Sequence, residues 1–182
     1  MTSKAPLLCS RAVFPTPLGE MEAIFDAKGI LTWLGFERSA ESYLDTLNPA
    51  QADSAELLRR ELNDYFAGAL KIFSVPIALC GTPFQMRVWG CLAEIPYGVT
   101  TTYGQVAKNL GDAKLSRTVG MANGANPISI IIPCHRVIGT GGKLVGYGGG
   151  LWRKAALLEL EGCTGTEIQR YALASGKIIV CT

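Results

Sequence analysis

The strongest constraint on the fold is a change of local signals at about Gly81: strand and hairpin signals open the chain, and helix-start signals dominate after it. Glu20 to Asp26 and Ile30 to Phe36 are short, apolar, β-favouring runs joined by Ala27-Lys28-Gly29, a pattern that predicts a hairpin. Asp53-Ser54-Ala55-Glu56 then has the form of a capping box. Leu57, Leu58, Leu62, Tyr65 and Phe66 follow it at helical spacing as far as Gly68. A small sheet is not stable until one face is covered, so the apolar stripe of this helix is expected to lie on the hairpin.

Beyond Gly81 the punctuation is helical. Thr82-Pro83-Phe84-Gln85 combines a capping threonine, a proline suited to the first turn and a glutamine that completes the box, so a helix is expected from there toward Pro96. Thr102 with Gln105 repeats the signal, and a short helix to Leu110 should stop at Gly111. A second short helix over Lys114 to Asn123 carries Leu115, Val119 and Ala122 along one face. Two short helices across a glycine turn match the helix-turn-helix pattern, although many helical hairpins have that pattern and bind nothing. Asn126-Pro127 reads as a turn, Ile128 to Ile132 as a buried extended segment, and Leu151 to Glu161 as a last amphipathic helix stopped by Gly162. The segment after Gly162 carries no readable signal.

Composition narrows the function classes. Of the 182 residues, 48% are hydrophobic, enough to bury a core in one large domain or two small ones. No apolar run reaches the roughly 18 residues of a membrane span, and the opening residues lack the order of a secretory signal, so a cytosolic or nuclear location without membrane attachment is expected. Free thiols are therefore expected for Cys9, Cys80, Cys91, Cys134, Cys163 and Cys181. With scattered cysteines and a single histidine, neither a metal site nor a cofactor is expected. Charge is divided unevenly: residues 1–80 hold 7 Lys/Arg against 10 Asp/Glu, and residues 81–182 hold 10 against 5. From Thr101 to Lys154 seven basic residues face Asp112 alone, which suits a polyanionic partner and equally a solvated basic surface.

A cysteine attacks through its thiolate and needs a base or positive charge nearby. Cys134 is followed by the only histidine, His135, and preceded by Pro133, which fixes the backbone. Neighbours on an extended strand point to opposite faces, so a bend or a bridging water must join the two. A glutamate could orient the imidazole, and Glu161 and Glu159 are candidates on the last helix. A buried inert cysteine beside a surface His-Arg pair fits the same residues.

The segment Ile132-Pro133-Cys134-His135-Arg136-Val137-Ile138 resembles the signature of the methylated-DNA-protein-cysteine methyltransferases. The likeness extends through Thr82-Pro83-Phe84-Gln85, Val88-Trp89, Ile95-Pro96-Tyr97-Gly98, Thr102-Tyr103, Arg117, Val119-Gly120, Ala125-Asn126-Pro127 and Gly146-Tyr147, without a gap from Phe84 to Gly162. Residues 1–80 resemble the family only in length and in the helix end Asp64-Tyr65-Phe66-Ala67-Gly68. The implied fold is α+β: a ribonuclease-H-like module with an antiparallel sheet over residues 1–80, a mainly helical, winged helix-turn-helix-like module over 81–165, and a tail over 166–182.

The implied activity is direct-reversal repair, in which the alkyl group of O6-alkylguanine passes irreversibly to Cys134, with O4-alkylthymine left open as a second substrate. By resemblance His135 is the base through a water, Glu161 orients it, and Asn126 braces the turn carrying the nucleophile. Tyr103 donates its phenolic proton toward the guanine ring as the bond to O6 breaks. The carbonyls of Cys134 and Val137 recognise the exocyclic amine and the amide of Gly148 donates to O6. Tyr147 belongs to the same pocket, covered by a glycine-rich loop with seven glycines between Gly139 and Gly150.

The base must leave the stack, at a cost of about a few kcal/mol. Arg117 resembles the family's intercalating arginine, with Gly104, Ser116, Ala122 and Thr140 beside the phosphates of double-stranded DNA approached from its minor groove. The reading is of a monomer that works once, with cooperative assembly on DNA left open, and alkylation is expected to crowd and destabilise the fold. Gly148 stands where some relatives have serine or a larger residue, which implies room for bulkier alkyl groups. Two other classes fit part of the pattern. A helix-turn-helix regulator has no use for Pro133-Cys134-His135, and a cysteine hydrolase would turn over and has no use for Arg117.

Overall fold

A computed structural model describes residues 9–36 and 43–174. The chain divides into two compact units, with the boundary between Leu79 and Cys80. In the first, strands β1 (Ser10–Phe14), β2 (Met21–Phe25) and β3 (Leu31–Gly35) form an antiparallel sheet in that order. The expected hairpin is β2–β3. Its turn is held by Asp26, whose Oδ1 accepts the amides of Lys28 and Ile30 at 2.9 Å each, and Gly29 takes a left-handed φ of 80°. β1 is an addition to the sequence reading, and pairing on both sides leaves β2 buried along its whole length.

Helix α1 (Pro49–Phe66) starts four residues before the expected Asp53 box. Asn48 Oδ1 accepts the Gln51 amide at 3.0 Å while Gln51 Oε1 accepts the Asn48 amide at 2.9 Å, so Asn48-Pro49-x-Gln51 is the working box and Asp53 lies inside the helix. Gln51 also receives a hydrogen bond from the Ser10 hydroxyl and donates to the Asp26 carbonyl, tying the helix start to the sheet. Ala55, Leu58, Leu62, Tyr65 and Phe66 make its buried stripe.

The second unit runs α2 (Pro83–Ala93), β4 (Thr101–Thr102), α3 (Tyr103–Asn109), α4 (Ser116–Gly124), β5 (Val137–Ile138), α5 (Leu151–Leu160) and α6 (Thr166–Ala174). Thr82 and Gln85 close the expected capping box on α2, and Thr102 accepts the Gln105 amide at 3.1 Å to start α3. α3 and α4 form a helix-turn-helix pair, its turn passing through Gly111 at φ 101°. Trp89 of α2 is 2% exposed and its Nε1 donates to the Ala122 carbonyl at 2.8 Å, locking α2 to α4. β4 and β5 pair in parallel, Thr101 with Val137 and Thr102 with Ile138. That pairing sets the start of α3 beside the chain leaving Cys134.

Two expectations are corrected. Ile128, Ile130 and Ile132 are buried, but the segment is not extended: it folds into tight turns, with Ile130 at φ 72° and the Ile132 amide donating to the Ile128 carbonyl at 3.0 Å. Asn126 supplies what a neighbouring strand would, its Oδ1 accepting the Ile128 amide at 3.1 Å and its Nδ2 donating to the Ile132 carbonyl at 2.8 Å. The start of the expected tail is instead α6, whose Ile168 joins Leu144, Ala155 and Leu158 in a buried cluster. Cys80, Cys91, Cys134 and Cys163 are free thiols, and Cys181 lies outside the described residues. Among the described residues no helix is long and apolar enough to cross a membrane.

Candidate active site

Cys134 opens a single tight helical turn, Cys134–Arg136, directly after Pro133. The bend demanded by the adjacency of Cys134 and His135 is therefore present. Cys134 is 5% exposed and His135 is fully buried. His135 Nε2 lies 2.9 Å from Glu161 Oε1 at the end of α5. Glu161 also accepts Arg136 Nε at 2.8 Å, Arg136 Nη2 at 2.9 Å and the Gly98 amide at 3.2 Å. Arg136 completes its own shell by donating to the Ile95 carbonyl at 2.6 Å. Glu161, not Glu159, is the partner of the imidazole.

These contacts set the protonation states. Burial alone would raise the Glu161 carboxyl, but hydrogen bonds from His135 and Arg136 and their charges hold it well below the usual carboxylate range. Burial lowers His135, against the pull of Glu161, so the resting imidazole is neutral. A neutral ring facing an ionised carboxylate assigns the proton to Nε2 and leaves Nδ1 as a bare lone pair. Nδ1 is buried and meets no hydrogen-bonding group among the described residues, as befits a base. Burial also pushes the Cys134 thiol up, opposed by Asn126, by Lys154 and by the amides of Cys134 and His135. The resting sulfur is a protonated thiol, so attack requires a proton acceptor.

Both His135 and Glu161 titrate lower in the folded than in the unfolded chain, so the unfolded state binds the extra protons. Their stabilisation is complete above about pH 6.5 and is lost on acidification, through His135 first and then through Glu161 below about pH 4.5. Burial brings Lys154 from 10.5 down to about 8, which has the same sign: stability rises again between those values as the unfolded lysine gives up its proton. Urea midpoints measured across this range should climb with pH, and a midpoint that held level from neutral pH to about pH 5 would contradict the assignment.

Lys154 is a site member that the sequence reading missed. It is fully buried, and its Nζ donates to the carbonyls of Val137 at 2.7 Å, Val145 at 2.7 Å and Gly146 at 3.2 Å. It thus ties β5 to the glycine-rich loop. The available signal was its position on the apolar stripe of α5, three and four residues before the buried Leu157 and Leu158. Arg136, the second partner of Glu161, was also missed.

The other expected residues fall into place unevenly. The Tyr103 hydroxyl donates to the Val145 carbonyl at 3.1 Å, and burial raises it to about 12, with the Cys134 charge adding to the effect. The Tyr147 hydroxyl is buried, and burial holds it well above the ordinary phenol, with Ser129 pulling the other way. The Val137 carbonyl, expected to read the exocyclic amine, is already bonded to Lys154, and the Cys134 carbonyl accepts the Val137 amide. No atom lies within 4 Å of where a Cβ on Gly148 would stand. Tyr103, Gly104, Ser116, Arg117 and Thr140 line one groove of about 560 Å³. Ala122 is not among them: it is 4% exposed on the inner face of α4, where its carbonyl receives Trp89. Among the described residues no three side chains could hold a metal ion.

Residues 83–163, which contain this whole constellation, match the family model described as the DNA binding domain of 6-O-methylguanine DNA methyltransferase. A helix-turn-helix pair beside a buried Cys-His-Glu set is thus the alkyl-accepting class of DNA-binding module. A Methanosarcina acetivorans methylated-DNA-protein-cysteine methyltransferase is 47% identical over 154 residues, covering 83% of this chain and 97% of that protein. A Mycobacterium tuberculosis protein of the same name is 60% identical over 101 residues, 56% of this chain and 61% of that one. The crystal structure of Mycobacterium tuberculosis OGT in complex with DNA aligns with a TM-score of 0.74 at 44% identity, covering 84% of this chain and 92% of that one. The chain belongs to the methylated-DNA-protein-cysteine methyltransferase family, proteins of direct-reversal DNA repair.

Proposed function

We propose that this protein binds duplex DNA, extrudes an O6-alkylated guanine and takes the alkyl group onto Cys134 once and irreversibly. The observation that carries the reading is a buried thiol one residue from an imidazole whose bare Nδ1 is set by an ionised Glu161. A water between Sγ and Nδ1 passes the thiol proton to His135. Sulfur then attacks the alkyl carbon, and a sulfur-carbon bond forms as the carbon-O6 bond breaks. The electron pair stays on the guanine, which takes the Tyr103 proton at its ring. Return of a proton from His135 to Tyr103 balances the step: thiol and alkylguanine become thioether and guanine.

Each group suits its part. The raised Tyr103 hydroxyl keeps its proton until a stronger base than the Val145 carbonyl arrives. Asn126 braces the turn below the sulfur, and Lys154 keeps the loop carbonyls beside it. Val137 and Cys134 offer carbonyls, and Gly148 an amide, to the edges of the base, with Tyr147 walling the pocket. Arg117 on α4 replaces the extruded nucleotide in the stack from the minor groove, while Gly104, Ser116 and Thr140 face the phosphates. All reacting groups come from one chain, so a monomer suffices, in whichever compartment holds the DNA. The open space at Gly148 supports room for alkyl groups larger than methyl.

Incubation with a duplex carrying one O6-methylguanine, followed by peptide mass analysis, tests the reading. The Cys134 peptide should gain one methyl group, with transfer ending at one methyl per protein molecule. Binding without transfer would return the chain to the regulators, and release of product with turnover would make it a hydrolase.

A further inference from the structure

The exposed face of α4 carries a feature that phosphate contact does not explain. Val119 and Ala122 point into the core, at 0% and 4% exposed. Arg117 and Met121, four residues apart, share the opposite face. Met121 is 69% exposed, more than Val99 at 47%, Val145 at 42% or Met86 at 40%, the other exposed large apolar side chains of the second unit among the described residues. Between Arg117 and Met121 lies Gly120, where a Cβ would stand 3.8 Å from Tyr103 Cδ1, so this face is held against the Tyr103 ring. Met121 lines the same groove as Arg117, and Ile138 and Val145 continue its apolar wall.

Polyanion binding requires cations, which the basic stretch supplies, and gains nothing from a thioether. An opened base stack presents something different: apolar base faces and deoxyribose edges stripped of their neighbours. Apolar wedges, methionine among them, are a known means of holding such steps open, and the unbranched, polarisable thioether adapts to any base face. We propose that Met121 is a second wedge, packing against the sugar and base edge next to the vacated position while Arg117 fills it. The inference rests on the proposed extrusion of an alkylated base and adds a residue to it. Met121 then prolongs the extruded state, and its contribution exists only in duplex DNA.

The test compares methyl transfer from one O6-methylguanine in duplex and in single-stranded DNA, where no stack has to be held open. For Met121→Ala the duplex-to-single-strand rate ratio should fall roughly fivefold, the loss expected for one apolar contact with an unstacked base. Met121→Leu, which keeps an apolar wedge, should restore the ratio, and Met121→Gln, similar in length but polar, should not. 2-Aminopurine beside the lesion should report less unstacking with Met121→Ala and with the control Arg117→Ala. A Met121→Ala ratio equal to that of the unsubstituted protein, while Arg117→Ala lowers it, would overturn the wedge and leave the proposed function standing. An unsubstituted protein that transfers from neither DNA would instead defeat the proposed function and the wedge with it.

Discussion

Replacing Cys134 by alanine should abolish methyl transfer altogether while leaving affinity for duplex DNA close to that of the unsubstituted protein. Neither Cys91 nor Cys163 is placed to take over. Cys91 is only partly buried and has its thiol raised by burial, and Cys163, raised likewise, packs into the cluster formed by Leu144, Ala155, Leu158 and Ile168. Neither follows a proline turn that sets it next to an imidazole. Arg117, Ser116 and Thr140, the residues proposed to face DNA, line a groove to which the Cys134 side chain contributes no wall, so binding should survive. The structural cost is that of one small buried side chain, about 1 kcal/mol. Peptide mass analysis and fluorescence anisotropy on labelled duplex read the two halves separately. Residual methyl transfer to any residue of Cys134→Ala would refute Cys134 as acceptor, and loss of binding would show that sulfur and groove are one unit.

Glu161→Ala should be the most destabilising single change in the site. Its side chain is fully buried and satisfies His135, two of the donors of Arg136 and the amide of Gly98. Truncation leaves Arg136, with 8% of its side chain exposed, as a buried charge compensated, among the described residues, by the Ile95 carbonyl and the face of Tyr97. Breaking one partner of a buried pair in this way costs about 3–5 kcal/mol, a large part of the 5–15 kcal/mol that holds an ordinary domain together. Glu161→Gln keeps the shape and one acceptor but turns an amide NH2 toward the donors, so stability should fall less. Its effect on chemistry should remain large: without a carboxylate the imidazolium is not stabilised and the proton is not confined to Nε2. A general base contributes roughly a hundredfold or more, and transfer by Glu161→Gln should fall on that scale. Urea unfolding and single-turnover transfer separate the effects. Wild-type stability for Glu161→Ala would mean that the carboxylate is not what holds Arg136.

Whatever is governed by neighbours in the chain was legible before any fold was known. Thr82 and Gln85 cap α2, Thr102 caps α3, Asp26 and Gly29 close the hairpin, and Pro133 bends the backbone before Cys134, because each of these bonds spans a few residues. Even the misplaced start of α1 was a local signal, carried by Asn48 and Gln51 where Asp53 and Glu56 had the same form. Family resemblance supplied the acceptor cysteine and its partners. Composition and spacing had left the Cys-His pair compatible with an inert buried thiol. The remaining contacts join groups distant in sequence and became visible in the fold. The parallel pairing of β4 with β5 sets Tyr103 near the loop, and Asn126 holds Ile128 to Ile132 in turns where β-branched side chains argue for a strand. Lys154 and Arg136, charged residues with no local reason to be buried, became site members when carbonyls and a carboxylate from other elements met them. Burial of a charge depends on partners that converge in space, and no pattern of nearby residues can state in advance which ones will arrive.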